Sequence, residues 1–245
     1  MSQGLATIGS GGFRDVYPIS VSCASLSWID RQMVSKHFHN TGRAKVTGNF
    51  PDLSPQRAID EETRVTVQLN ETVMALSKRF NEAIEQTTEP GAANPRRVRY
   101  NKVYLVEDDA NVTTFTIEDY ITGSPWKVLL NSGLPDKSSS QPEDSTIAEL
   151  SHAFAHFTLQ YTNDDLIVLD VQGVGTYFMD PAVCTNSTLD PNEERGDSAN
   201  LFAESIKNFK EQHVCNHFCA AANLSSLRWV RNCDLQLFII GHVHF

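Results

Sequence analysis

The 245 residues carry a net charge of −10, with 40% hydrophobic content and a pI near 5.2. That is enough chain for one large domain or two small packed lobes, and no basic run supplies the clustered Lys and Arg that a polyanion partner needs, so nucleic acid is excluded. Met1–Ser10 lacks the layout of a signal peptide and no stretch reaches the roughly 20 apolar residues that span a bilayer, so a cytoplasmic chain with no membrane partner is expected.

In chain order, the Gly-rich turn GSGGF and the β-favouring Val16, Tyr17, Ile19 and Val21 predict a hairpin over Ile8–Ser22. A short strand is expected over Met33–Phe38. From Thr63 to Glu85 the residues Val65, Leu69, Val73, Leu76, Phe80 and Ile84 recur at steps of four and three, the period of a helix with one buried face. Beyond the breaker-rich Thr87–Pro95, strands are expected over Val98–Val106 and Thr113–Ile121, joined by the turn Glu107–Asn111. Together these make a five-part, β-rich N-lobe that ends near Ile121–Gly123.

The Ser- and Pro-rich Leu134–Asp144 is expected to be a mobile loop. Thr146–Leu159 is expected to be a helix, and Leu166–Leu169 a buried strand ending at Asp170. The loop Val171–Asp180 then carries more polar groups than packing requires. Asn186–Asn200 is polar and charged, and Leu201–Leu224 returns to helical spacing.

His213, Cys215 and Cys219 form H-x-C-x3-C on that last helix, which places the two thiols on one face. Thiolates with a neutral imidazole suit zinc, and a structural zinc site wants a fourth ligand. The helix Thr146–Leu159 offers His156 or, one turn away, His152. Cys23, Cys184 and Cys233 share no pattern and are expected to be ordinary thiols. His37, His39, His217, His242 and His244 are expected to be surface or core residues.

In LIVLDVQGVGTYFMDP, an apolar strand ends at Asp170, followed by Gln172, two glycines and Asp180 before Pro181. Carboxylates at strand ends beside glycine-loosened backbone are suited to a phosphate and its magnesium, a hard ion that takes oxygen ligands. Phosphoryl transfer from a nucleotide also needs a cover over the phosphates, a strand-borne cation, and a base with metal ligands. The turn holding Gly11, Gly12 and Arg14, then Lys36 in MVSKHF, then Asp170 onward supply these in that order.

IEDYITGSPWKVLLNSG, AFAHFT, DVQGVGTYFMDPAV and HVCNHFC resemble successive signatures of the alpha-kinases, atypical serine/threonine protein kinases of the myosin heavy chain kinase and elongation-factor kinase type. The resemblance runs from Gly9 to Leu224. It implies an α+β, two-lobed protein-kinase-like fold, with a β-rich N-lobe and a helical C-lobe containing an integral zinc module. It further implies one kinase domain over 1–245, with an N-lobe over 1–121, a C-lobe over 122–232 and a tail over 233–245.

By motif position, Arg14 and Lys36 would meet the ATP phosphates, Glu118 and Tyr120 would hold adenine at the hinge, and Lys127 and Asn131 would lie near the phosphates. Asp170 would act on the acceptor hydroxyl, with Lys36 and Asp180 beside it in catalysis; Gln172 and Asp180 would ligate magnesium. His156, rather than His152, would complete a zinc site with His213, Cys215 and Cys219. The implied cofactors are ATP, Mg2+ and Zn2+, and the implied partner is a protein substrate.

The chain departs from the family where a Gly-rich loop is usual: RGDSANLFAESI has only Gly196. Met179 stands where Thr is common, and the apolar Leu235–Phe245 has no counterpart. A nucleotide-binding pseudokinase acting as a scaffold fits the missing glycines. A zinc-organised interaction module would leave the Gly-rich turn and the DVQG run unexplained.

Overall fold

The computed structural model describes residues 6–19, 32–87, 97–108, 113–186 and 200–227. The expectations for Ser20–Ser22, Cys23, most of Thr87–Pro95, Gly196 and its neighbours, Cys233, His242, His244 and the tail Leu235–Phe245 lie outside these residues.

The N-terminal part is an antiparallel five-stranded sheet with two helices against it. In chain order come β1 (Gly9–Ser10), β2 (Arg14–Ile19), β3 (Met33–Phe38), α1 (Asn40–Asn49), α2 (Pro55–Thr87), β4 (Val103–Asp108) and β5 (Thr113–Asp119), and the spatial order of strands is β1-β2-β3-β5-β4. The expected hairpin is β1–β2, with Gly9 opposite Val16. Val98 proves buried but precedes the strand, which starts at Val103.

The helix α2 has 33 residues and starts at Pro55, eight residues before the apolar period becomes visible. Proline suits the first helical position, where its missing N–H would have no intrahelical partner anyway. The early half of its buried stripe runs through Ala58, Ile59, Glu62, Thr63 and Asn70, largely polar, which is why the periodicity begins late. The helix α1 has no apolar period at all and buries only Gly42 and Val46. It forms because His39 Nδ1 accepts from Gly42 N at 3.1 Å as an N-cap.

The C-terminal part combines helices with short strands. Beside α3 (Ser145–Tyr161), α4 (Phe202–Gln212) and α5 (His217–Ala221) it holds five short strands: β6 (Pro125–Lys127), β7 (Leu166–Leu169), β8 (Gln172–Val174), β9 (Tyr177–Met179) and β10 (Ala182–Thr185). The loop expected over Val171–Asp180 is the hairpin β8–β9, paired through Gly173 and Phe178. Leu134–Asp144 contains no helix or strand, but it is fixed in place: Asp136 is buried, and backbone bonds tie the segment to β6.

One core joins the two parts. The later half of α2 supplies Val73, Leu76, Phe80 and Ile84 to the same cluster as Phe154 of α3, Phe178 of β9 and Trp126 of β6. Aromatic contacts run Phe80–Phe154 (5.6 Å), Phe154–Tyr100 (5.8 Å), Tyr100–Phe178 (5.5 Å) and Phe178–Trp126 (5.2 Å between centroids). Each such pair contributes about 0.5–1.5 kcal/mol beyond its buried area. The long helix is thereby packed firmly to the hairpin that carries the DVQG run.

Candidate active site

Two corners of the chain create the site. β7 pairs with β10, Leu169 opposite Ala182, while β8–β9 belongs to a separate sheet with β6. The chain therefore leaves one ribbon at Asp170 and rejoins it after Asp180. Both aspartates take the left-handed conformation, φ 51° and 47°, which Asp tolerates better than most side chains but which still costs about 1–3 kcal/mol. Gln172 bridges the corners: its Nε2 donates to Asp170 Oδ2 at 3.1 Å and lies 3.5 Å from the Asp180 carbonyl.

Gly173 of the DVQG run serves packing, whereas Gly175 meets no neighbour and is used for its left-handed backbone, φ 57°. A Cβ on Gly173 would lie 2.0 Å from Tyr177 O and 2.6 Å from Trp126 Cζ2, so β6, β8 and β9 close together only around glycine.

From the N-terminal sheet, Lys36 Nζ reaches Asp180 Oδ1 at 2.5 Å and Glu118 Oε1 at 2.6 Å. Glu118 stands opposite Val34 and is thus the diagonal, same-face neighbour of Lys36 across β3 and β5. Burial alone would lower the Lys36 pKa, but Asp180 and Glu118 outweigh it and hold the ammonium charged, up to about 12. Burial pushes the Glu118 carboxyl up, against the pull of Lys36. Asp180 is itself raised by burial, yet Lys36 overcomes this and leaves the carboxyl below its ordinary value.

Glu118 was expected at the hinge. Its side chain is paired with Lys36 and only 4% exposed. The signal that could have revealed this is the alternation in β5, which puts Glu118 on the Lys36 face. Replacing Glu118 by Leu leaves Lys36 with a half-exposed partner alone; a loss of about 2–3 kcal/mol in urea unfolding is expected, and an unchanged midpoint would contradict the pairing.

Lys127, on β6 opposite Gln172, extends its Nζ to Asp170 Oδ1 at 2.5 Å. Burial raises the Asp170 pKa, and Lys127 offsets part of that rise. Arg14 lies over the Phe38 ring at 4.3 Å and donates to Thr66 Oγ1 of α2 at 2.6 Å, so it is oriented by the long helix. Gly11 and Gly12 are exposed at the β1–β2 turn, where Gly11 N donates to Arg14 O at 2.8 Å. Tyr120 follows β5 with its side chain 45% exposed and its N–H donated to Gln32 O. Asn131 is half-buried beside β10, its carbonyl 3.5 Å from Cys184 Sγ.

A second constellation lies in the C-terminal part. His156, His213, Cys215 and Cys219 bring one ligand atom each to within 4.8 Å of one another. Cys215 Sγ lies 3.8 Å from His156 Nδ1, and Cys219 Sγ 3.6 Å from His213 Nε2. Tetrahedral zinc with bonds of about 2.0–2.3 Å implies N–S edges of about 3.6 Å, so the donor set and its spacing fit zinc. His152 is not one of the four.

The expected single helix is broken here. His213 caps α4, Cys215 lies in the break, and Asn216 caps α5 by accepting from Phe218 N and Cys219 N. The thiols converge through that break and not through a shared helical face. Burial holds His156 and His213 neutral, at about 4 each, the form that can bind a metal. Burial likewise pushes the Cys219 thiol up to about 11, a penalty that ligation removes, because a coordinating thiol is deprotonated outright.

The sequence model of the Alpha-kinase family matches residues 9–219. The chain belongs to the alpha-kinase family. Relatives with 32% identity include the human transient receptor potential cation channel subfamily M member 6, over 162 residues or 66% of this chain. The human eukaryotic elongation factor 2 kinase matches over 133 residues, or 54% of it. The chain spans only 8% and 17% of the length of these two relatives. The crystal structure of the alpha-kinase domain of myosin heavy chain kinase A in complex with ADP superposes with a TM-score of 0.63 at 20% identity, covering 90% of this chain and 86% of that one.

In this alpha-kinase the Lys/Asp cluster and the Cys/His group are held by one core, α3 providing both His156 and the Phe154 contact toward the DVQG hairpin. Asn200 Oδ1 accepts from Thr185 N and Phe202 N, which ties the start of α4 to β10. No described helix is long and apolar enough to cross a membrane.

Proposed function

We propose that the chain is an atypical protein kinase that transfers the γ-phosphate of ATP to a serine or threonine hydroxyl of a protein substrate. The observation that carries this reading is the convergence of two lysine–aspartate pairs on one pair of chain corners, Lys36 with Asp180 and Lys127 with Asp170. That arrangement offers two cations for phosphates and two carboxylates for a metal and an acceptor proton. The solved domain complexed with ADP supports a nucleotide as the donor.

The acceptor oxygen forms a bond to the γ-phosphorus as the bond to the β–γ bridging oxygen breaks. ADP leaves, and the hydroxyl proton passes to Asp170, whose burial makes it a stronger base than a surface carboxylate. Lys36, kept fully charged, orients the early phosphates under the Gly11–Gly12 turn; Arg14 and Lys127 stabilise charge on the transferring group. Gln172 and Asp180 would hold magnesium, which neutralises phosphate charge when bound. Asn131 borders the phosphates and Tyr120 the base. His156, His213, Cys215 and Cys219 would hold zinc as a folding element. A cytoplasmic setting fits free thiols and zinc.

Lys36→Met tests the nucleotide reading. ADP affinity measured by calorimetry with magnesium should fall by about tenfold or more, as a charged phosphate contact is worth about 1.5–3 kcal/mol. Equal affinity in wild type and variant would contradict it.

A further inference from the structure

Lys127 reaches Asp170 from β6, a strand of only three residues. One edge of β6 is paired with β8. The other edge is gripped by the segment that follows Leu134. Ser140 O accepts from Lys127 N at 3.1 Å, and Gln141 Nε2 donates to Lys127 O at 3.1 Å and also to Asp136 O at 3.0 Å. Asp136 N donates to Val128 O at 2.9 Å. Lys127 is thereby held at both its N–H and its C=O by residues 136–141.

The centre of that grip is the carboxylate of Asp136, a residue only 5% exposed. Its Oδ1 accepts from Ser138 N at 2.7 Å, Ser138 Oγ at 2.7 Å and Ser139 N at 3.3 Å, and its Oδ2 from Ser139 Oγ at 2.8 Å. Four donors on one buried anion fold the Ser-rich stretch into a rigid turn, and the turn delivers Ser140 O and Gln141 to Lys127.

We propose that Asp136 is a positioning residue for phosphoryl transfer, acting through a clasp over residues 136–141 that fixes the backbone of Lys127 and so aims its ammonium at the Asp170 corner. A carboxylate suits this position because its two oxygens accept all four donors of so tight a turn. The hydrogen bonds to it hold the Asp136 carboxyl down to about 2, so the clasp stays charged throughout the working range of pH. The inference rests on the kinase reading for the role of Lys127, but the clasp itself is a property of this chain's own bonds.

The test uses an ATP analogue bearing an acyl phosphate, which acylates lysines beside bound phosphates, with labelling of Lys36 and Lys127 quantified separately by mass spectrometry. Wild type should label both. Asp136→Ala should cut labelling of Lys127 by about fivefold or more while Lys36 stays within about twofold, and kcat should fall by about tenfold, since a displacement near 1 Å can cost that much or more. Gln141→Ala, an exposed site that keeps the turn, should change the Lys127 to Lys36 ratio in the same direction and serves if the Asp136 variant does not fold. A general loss of structure lowers both lysines together. Equal labelling ratios in wild type and Gln141→Ala, or labelling of Lys36 without Lys127 in wild type, would overturn the clasp. Labelling of neither lysine in wild type would overturn the nucleotide site itself, and the clasp's role with it.

Discussion

Asp170→Ala will reduce phosphate transfer by about 10²–10⁴-fold, the range a positioned general base supplies, while ADP affinity changes by less than about threefold. Asp170 is placed for this by its corner: it ends β7, takes φ 51°, and presents its carboxylate to Lys127 and Gln172 with 22% of the side chain exposed. Alanine tolerates that backbone poorly, so part of any loss could come from strain. Asp170→Asn separates the two effects, because Asn accepts the left-handed conformation but cannot take a proton. Transfer should fall comparably in both variants, whereas the unfolding midpoint should fall more in the alanine variant. Full transfer by Asp170→Asn would remove Asp170 from the chemistry.

The second large effect is expected at the Cys/His group. Cys215→Ser should yield insoluble or metal-free protein, because the free energy of metal binding in such sites, about 10–16 kcal/mol in small zinc modules, is folding free energy. The break between α4 and α5 bears on the size of the effect: the His213 and Cys215 ligands stand at and within it, where the contacts of the two thiols to His156 and His213 are long, 3.8 and 3.6 Å. A soluble, zinc-free Cys215→Ser protein with full transfer activity would contradict the structural role.

Much of the site was legible before the fold, for a physical reason. Asp170, Gln172, Asp180 and Lys36 lie on or beside short strands, where sequence spacing translates directly into position. His213, Cys215 and Cys219 were legible from their chemistry and spacing, and His156 over His152 only from the family resemblance; the reason they converge was not legible, since the sequence suggests one helix and Asn216 starts a new one. What spacing could not show were pairings set by register. Glu118 faces Lys36 only because β3 and β5 align Val34 with it, and the bond from Arg14 to Thr66 joins β2 to α2 across 52 residues of chain. α1 stayed hidden because Gly42 and Val46 are its whole buried face. The Ser-rich Leu134–Asp144 looks mobile by composition, yet its hydroxyls are what Asp136 needs to be buried.

The most direct test is transfer of labelled phosphate from magnesium ATP to a basic acceptor protein by wild type and by Asp180→Ala, with zinc per chain measured in both. Transfer by wild type, its loss in the variant and about one zinc in each is the expected result. A zinc-loaded, ADP-binding wild type that transfers nothing would contradict the assignment and leave a nucleotide-binding scaffold in its place.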